Sequence, residues 1–169
     1  LHAAHEGVDV LRFIGEIRHP LAPALERFLN RLRSDEPAGL IIELGSTRII
    51  DSTCLGLLAR AALQRRAQGS PKVKIISPQA DITEVLRSMS FDRLFDIVGD
   101  TPFGPMEEQE LETAAGSDED ALLATMLEAH RTLMGLNERN RLQFKDVVEA
   151  MESESAQRKD AGGEEDQTS

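Results

Sequence analysis

Short aliphatic runs alternate with helical stripes over the first hundred residues of this 169-residue chain. Strands are predicted at 8–14, 40–44, 72–76 and 95–98, and residues 1–6 indicate the end of a preceding strand. Helices are predicted at 21–33, from Ser52 to about 68, and at 78–89, because their apolar residues recur three or four positions apart. This order predicts an α/β domain in which helices pack on a small mixed β-sheet.

The run Asp51-Ser52-Thr53-Cys54-Leu55-Gly56 places short polar side chains where a strand ends and a helix begins. The strand is predicted in two pieces, 40–44 and 49–50, joined by a turn at 45–47. A hydroxyl at a helix N-terminus lies beside free backbone N–H groups and the positive end of the helix dipole, which favour an anion. An ordinary helix cap explains the same residues, since Asp, Ser and Thr are all preferred there.

The acidity of the chain is concentrated in its last third. The net charge is −11, and residues 100–169 hold 18 acidic and 6 basic side chains. We predict an α/β domain at 1–99, an acidic linker at 100–116, a helical hairpin at 117–152 and a disordered acidic tail at 153–169. Such a charge distribution repels nucleic acid and anionic membranes, so we expect no direct binding to either.

The predicted hairpin has a capping box beginning at Ser117 and a second helix capped by Asn137. It is interpreted either as additional core or a lid, or as a docking surface for a regulator or a second copy of the chain. The second interpretation uses as anchors the apolar residues Leu133, Met134, Phe144 and Val148.

Several kinds of chemistry have no sequence signature here. The four histidines, His2, His5, His19 and His130, lack metal-ligand spacing, and there is no Walker-type loop, so we expect neither a metal nor a cofactor. Ser52 has no histidine base in its sequence neighbourhood, which argues against a hydrolase and for a chain that is not an enzyme. Cys54, the single cysteine, is interpreted as a small packing residue or as a redox-sensitive thiol, and it fits a reducing cytoplasm. No apolar run has the length of a membrane span.

The first hundred residues resemble the STAS family, the bacterial anti-sigma factor antagonists. The resemblance covers about residues 7–98 and rests on motifs in the family's order. These are Gly15-Glu16-Ile17 after the first long strand, Glu43-Leu44 in the next strand, Asp51-Ser52-Thr53 with Leu55-Gly56, and the segment 86–95.

The resemblance implies a partner switch centred on Ser52. In the family, the matching serine is phosphorylated by an anti-sigma factor that is a histidine-kinase-like serine kinase, and a PP2C-type phosphatase removes the phosphate. The unphosphorylated antagonist binds the kinase and frees the sigma factor. Thr53 is the rival phosphoacceptor, and the expected partner-binding residues are Asp51, Thr53, Cys54, Leu55 and Gly56. A homodimer is a further candidate assembly.

Two residues depart from the family pattern. Arg18 stands where many members carry aspartate, and Cys54 stands where glycine is common. Three alternative functions follow from the same resemblance: regulation of a target other than a sigma factor, a stressosome-like scaffold, and binding of a small ligand.

Overall fold

The computed structural model describes residues 1–5, 8–32, 39–100, 110 and 118–165, and its centre is a five-stranded sheet. Neighbouring strands in the sheet follow the chain order β1-β2-β3-β4-β5. The first pair is antiparallel and the other three pairs are parallel, so the predicted mixed α/β sheet is confirmed. The strands are β1 (His2–His5), β2 (Val8–Ile17), β3 (Gly39–Ile50), β4 (Lys74–Ile76) and β5 (Asp96–Val98).

Helices connect the parallel strands, as parallel pairing requires. They are α1 (Ala22–Arg31), which follows a 3-10 turn at His19–Leu21, α2 (Ser52–Ala67), α3 (Ala80–Ser88) and α4 (Phe91–Leu94). Two further helices, α5 (Glu119–Met134) and α6 (Glu138–Glu165), form the predicted C-terminal hairpin. The side chain of Asn137 caps α6 by accepting a hydrogen bond from the backbone N–H of Asn140 at 2.8 Å, as the sequence predicts.

The core is mainly aliphatic, with buried phenylalanines such as Phe91 and Phe95, and it is continuous from the sheet into the hairpin. Its buried residues include Leu11 of β2, Ile42 of β3, Leu58 of α2 and Leu133 of α5. Helix α2 is buried on nearly all sides, because it packs into the core of the α/β domain and also against α5. The residues at 53–59 are all buried, so every side of the first half of α2 is covered, and α5 supplies part of that cover.

The predicted turn at residues 45–47 is wrong, because β3 continues through it. Ser46 and Thr47 pair with Ile14 and Gly15 of β2, and the register shifts on both sides of this pair. Gly15 has φ +77°, a conformation that glycine adopts without strain. A buried hydrogen bond of 3.1 Å from the Thr47 hydroxyl to the carbonyl of Phe13 holds the irregular pairing together.

Three other boundaries differ from the sequence prediction. Helix α3 begins at Ala80, so Ser77 is not its cap; the Thr83 hydroxyl instead donates to the carbonyl oxygen of Ser77 at 2.9 Å. The cap of α5 is Asp118, and Ser117 lies outside the described residues.

Helix α6 continues past residue 152 to Glu165, into the predicted disordered tail. Arg158 explains the longer helix, since its guanidinium bonds Glu154 one turn back at 2.8 Å and Asp120 of α5 at 3.1 Å. Most of the predicted acidic linker and residues 166–169 lie outside the described residues. The domain division stays a prediction.

Candidate functional site

Asp51 shapes the corner between β3 and α2. It is the N-cap of α2, with an extended backbone, and its Oδ1 accepts a hydrogen bond from the backbone N–H of Cys54 at 2.9 Å. Its other carboxylate oxygen accepts a hydrogen bond from the backbone N–H of His19. Its own N–H donates to the carbonyl of Ile17 at 2.9 Å. Asp51 therefore joins the end of β2 to the start of α2.

Ser52 is the first residue of α2 and is half-buried. Its Oγ lies 2.9 Å from Nε2 of His130, which belongs to α5 and is 78 residues away in sequence. No histidine near Ser52 in the sequence was expected to act on it, and tertiary packing instead brings His130 into contact with it. The predicted phosphoacceptor and a buried imidazole are in direct contact.

His130 is held in one orientation. Its Nδ1 lies 2.7 Å from the carbonyl oxygen of Met126, and a carbonyl only accepts, so Nδ1 carries the proton. In the neutral imidazole Nε2 is then an acceptor, and the Ser52 hydroxyl donates to it. The ring is 4% exposed and packs edge-on against Phe144 of α6, with 5.5 Å between ring centroids. His130 is the only polar residue in an otherwise apolar stripe of its helix. Because buried polar groups are usually hydrogen-bonded, its position in the sequence indicated that the imidazole has a hydrogen-bond partner.

Helices α2 and α5 touch through their backbones one turn beyond Ser52. A Cβ atom at Gly56 would lie 2.8 Å from the Cα of Ala129 and closer still to its carbonyl group. Real Cβ atoms essentially never come so near. Glycine is required at position 56 because α5 leaves no room for a side chain.

Other predicted partner-binding residues face the interior. Thr53 is 2% exposed, Cys54 is fully buried, and Leu55 lies in the core of the α/β domain. Burial raises the pKa of the Cys54 thiol, and the negative charge and hydrogen bond of Asp51 raise it further. A raised pKa leaves little thiolate, so the packing interpretation of Cys54 is favoured over the redox one.

Arg18 lies beside the same corner on the outer surface. It directly precedes His19, whose N–H donates to Asp51, and its own guanidinium Nε bonds Glu16 at 2.9 Å. The side chain is half exposed. The structure thus places this departure from the family pattern one residue before the backbone contact with Asp51.

Three more polar contacts fasten the hairpin to the α/β domain. Thr125 donates to Glu26 of α1 at 2.7 Å, and that carboxylate also pairs with Arg60 of α2. At the other end of the hairpin, Asn137 donates to the Ser90 hydroxyl at 2.8 Å, and the buried amide of Asn140 donates to the carbonyl of Met89 at 3.2 Å. Leu133, Phe144 and Val148, predicted as docking anchors, are buried within the chain.

Within the described part of the chain, no three His, Cys, Asp or Glu side chains are grouped so that they could hold a metal ion. Over the same residues, no helix has the combination of length and apolar character needed to cross a membrane. The polar groups that the structure brings together at the site are the Ser52 hydroxyl, the Asp51 carboxylate and the His130 imidazole.

Comparison with known proteins assigns the family. The family profile described as STAS domain matches residues 3–107, which is more than half of the chain. The chain belongs to the STAS family. A STAS domain is also consistent with the observed sheet and with Ser52 at the start of α2. The hairpin α5–α6 lies beyond the matched segment.

Curated relatives of this STAS protein include a named antagonist. The anti-sigma-F factor antagonist RsfB of Mycobacterium tuberculosis, from the strains CDC 1551 / Oshkosh and ATCC 25618 / H37Rv, is 30% identical over 93 residues. The matched segment covers 55% of this chain and 75% of that protein. The chain thus belongs with the anti-sigma factor antagonists of the STAS family.

Proposed function

We propose that this chain is an anti-sigma factor antagonist whose binding to a serine-kinase anti-sigma factor is switched off by phosphorylation of Ser52. The observation that carries the proposal is the position of Ser52, a half-buried hydroxyl on the first turn of α2, directly after the Asp51 cap. The similarity to a protein named as an anti-sigma-F factor antagonist supports the same partner class. The chain itself would act as a regulator and not as an enzyme.

The geometry favours Ser52 over Thr53 as the phosphoacceptor. A kinase must bring its γ-phosphate into line with the accepting oxygen, and Thr53 is nearly fully buried within the fold whereas Ser52 is only half-buried. A phosphate adds about −1.5 to −2 charge at neutral pH. The helix N-terminus stabilises this charge in the free protein, whereas a docked partner must desolvate it. Phosphorylation therefore weakens the complex more than the fold, and a PP2C-type phosphatase would reverse it.

A binding experiment with charge-mimicking variants tests this proposal. Full-length wild type, Ser52→Ala and Ser52→Asp are titrated by calorimetry against each histidine-kinase-like anti-sigma factor of the same organism, without ATP. We expect Ser52→Ala to bind and Ser52→Asp to lose about tenfold or more in affinity, since a like-charge or desolvation penalty of about 1.4 kcal/mol is one decade. Ser153→Asp adds the same charge to an exposed serine of α6 and serves as the control. Equal affinity of all four proteins would refute the switch at Ser52.

One observation favours a second function, the binding of a small apolar ligand. A groove of about 390 Å³ lies between β2 and α1, and its lining includes the apolar Phe13, Ile17 and Leu25 together with the charged Arg12 and Glu110. A volume of this size and a largely apolar lining with a few polar groups are typical of small-molecule sites. A ligand that binds only the folded chain raises its melting temperature with concentration. A panel of short fatty acids in thermal unfolding tests this function, and no concentration-dependent shift would count against it.

A further inference from the structure

Helix α5 covers the face of α2 on which Ser52 lies. Two contacts join the helices on this face. The first is the Ser52–His130 hydrogen bond at 2.9 Å, and the second, one turn along α2, is the backbone contact between Gly56 and Ala129. Residues four apart lie on the same face of a helix, so both contacts are made by one face. This face is the one that a kinase must reach in order to phosphorylate Ser52.

The hydrogen bond engages the proton that phosphorylation removes. In the neutral ring of His130, Nδ1 donates to the Met126 carbonyl and Nε2 accepts the proton of the Ser52 hydroxyl. In transfer from ATP, a bond forms between Oγ and the γ-phosphorus, the bond from that phosphorus to the ADP oxygen breaks, and the hydroxyl proton leaves to the kinase's base. The position toward which Oγ directs its proton is occupied by a buried ring. The closed chain therefore offers no approach for the phosphate along this direction.

The hairpin cannot make room by a small shift. Gly56 and Ala129 are already in backbone contact, so α5 has no free space on the α2 side. Polar contacts fix both ends of the hairpin, with Thr125 on Glu26 at one end and Asn140 on the Met89 carbonyl at the other. Packed interfaces of this kind change between discrete arrangements and do not deform continuously. Ser52 is half-buried in the closed chain, and full exposure of the side that α5 contacts thus requires release of α5 from α2.

We propose that the α5–α6 hairpin is an intramolecular competitor of the kinase for the Ser52 face of α2. In the closed chain the hairpin blocks both docking and phosphoryl transfer, and in the open chain the face is available. This inference rests on the proposed phosphorylation of Ser52 and adds the regulation of that site.

The competition acts in both directions. A phosphate on Ser52 replaces the proton that the hydroxyl shares with His130, and it adds charge and bulk where α5 packs. Coupling between two events is reciprocal by thermodynamic necessity. If docking of the hairpin disfavours a phosphate on Ser52 at equilibrium, phosphorylation weakens docking of the hairpin by the same factor.

Full-length variants that release the hairpin test the proposal. Ala129→Leu places a large side chain at the contact from the α5 side, and Gly56→Ala places a methyl group there from the α2 side. Alanine favours a helix more than glycine does, so the second variant keeps α2 intact. Ala124→Leu makes the first change at an exposed position of α5 and is the matched control. Hydrogen exchange of α5 and β3 amides shows release of the hairpin separately from unfolding of the sheet.

Each protein is then incubated with ATP and a histidine-kinase-like serine kinase of the same organism, and the initial rate of phosphate incorporation at Ser52 is measured. We expect both contact variants to exchange faster in α5 and to be phosphorylated about tenfold faster or more, because the rate scales with the open fraction. The control should match wild type. In the reverse direction, wild type phosphorylated at Ser52 should lose protection in α5 and keep it in β3.

The outcomes separate the two proposals. Faster exchange in α5 with an unchanged phosphorylation rate would overturn the competition and leave Ser52 as the phosphoacceptor. Full protection of α5 after phosphorylation of Ser52 would overturn it as well. If neither wild type nor any variant accepts phosphate on Ser52, even where hydrogen exchange shows a released hairpin, then the proposed switch at Ser52 is refuted, and its regulation by the hairpin is refuted with it.

Discussion

Replacing Asp51 by alanine tests how the corner beneath Ser52 is held. The carboxylate accepts two backbone hydrogen bonds, one from Cys54 in the first turn of α2 and one from His19 after β2. The alanine variant loses both acceptors, whereas Asp51→Asn keeps one acceptor oxygen and loses the charge together with one of the two hydrogen bonds. The pair of variants therefore ranks complete against partial loss of the link that Asp51 makes.

The structure sets the size of the effect. Loss of an N-cap costs about 1 kcal/mol, and a hydrogen bond to a charged acceptor contributes about 1.5–3 kcal/mol. Because Asp51 is partly exposed, we take the low end for the bond from His19. Asp51→Ala should lower the free energy of unfolding by about 2–3 kcal/mol. Asp51→Asn, which loses the charge and one of the two bonds, should lower it by an intermediate amount, about 1–2 kcal/mol.

Urea unfolding followed by circular dichroism measures both values. Asp118→Ala is the matched control, since Asp118 caps the exposed start of α5 through a single bond of 3.0 Å to the N–H of Asp120. It should cost about 1 kcal/mol or less. If Asp51→Ala were no more destabilising than Asp118→Ala, the role of Asp51 as the link between β2 and α2 would be refuted.

Three further predictions concern the packing of the hairpin and the buried thiol of Cys54. Leu133→Ala removes a fully buried side chain of the hairpin and should cost about 2–5 kcal/mol in urea unfolding; less than 1 kcal/mol would contradict the packing described. Asn140→Ala removes the donor to Met89 and should cost about 1–3 kcal/mol, whereas the exposed Arg139→Ala should be near neutral. The thiol of Cys54 should react with a disulfide reagent at pH 8 only on unfolding. Because folding raises its pKa, stability should fall above the ordinary thiol value of 9.0, and Cys54→Ala should remove that part of the decline.

The local pattern of apolar residues was sufficient to predict most of the strands and helices of the α/β domain. The alternation of aliphatic runs and helical stripes predicted β2, β4, β5 and the helices between them, because period and length differ between a strand and a helix. It misplaced a turn in β3, since Gly45-Ser46-Thr47 has the composition of a turn. The conformation of residues 45–47 is decided by the irregular pairing of β3 with β2, and such pairing is a tertiary contact that the local sequence does not show.

The partner of Ser52 could not be predicted by the same means. His130 lies 78 residues away, beyond a linker, and no local rule relates the two positions. The sequence pattern did put His130 on the apolar face of a helix. An apolar face alone, however, does not specify against which other helix or sheet it packs. Gly56 is a second example, because its requirement for glycine comes from the approach of Ala129 and not from a turn.

The length of α6 was also decided by contacts outside its own stripe. Residues 153–169 are polar, and composition alone predicted disorder. Arg158 instead joins Glu154 of its own helix to Asp120 of α5, which supports a helix through Glu165. Charged side chains on two neighbouring helices thus extend the hairpin beyond its apolar part.

The central claim is that Ser52 accepts a regulatory phosphate, and mass spectrometry tests it most directly. The full-length chain is incubated with ATP and a histidine-kinase-like serine kinase of the same organism, weighed intact and then digested for site mapping, with Ser52→Ala in parallel. The account predicts one added phosphate on wild type, mapped to Ser52, and none on the variant. Phosphate mapped only to another residue, or an unmodified wild type under conditions in which the kinase phosphorylates a known antagonist, would contradict it.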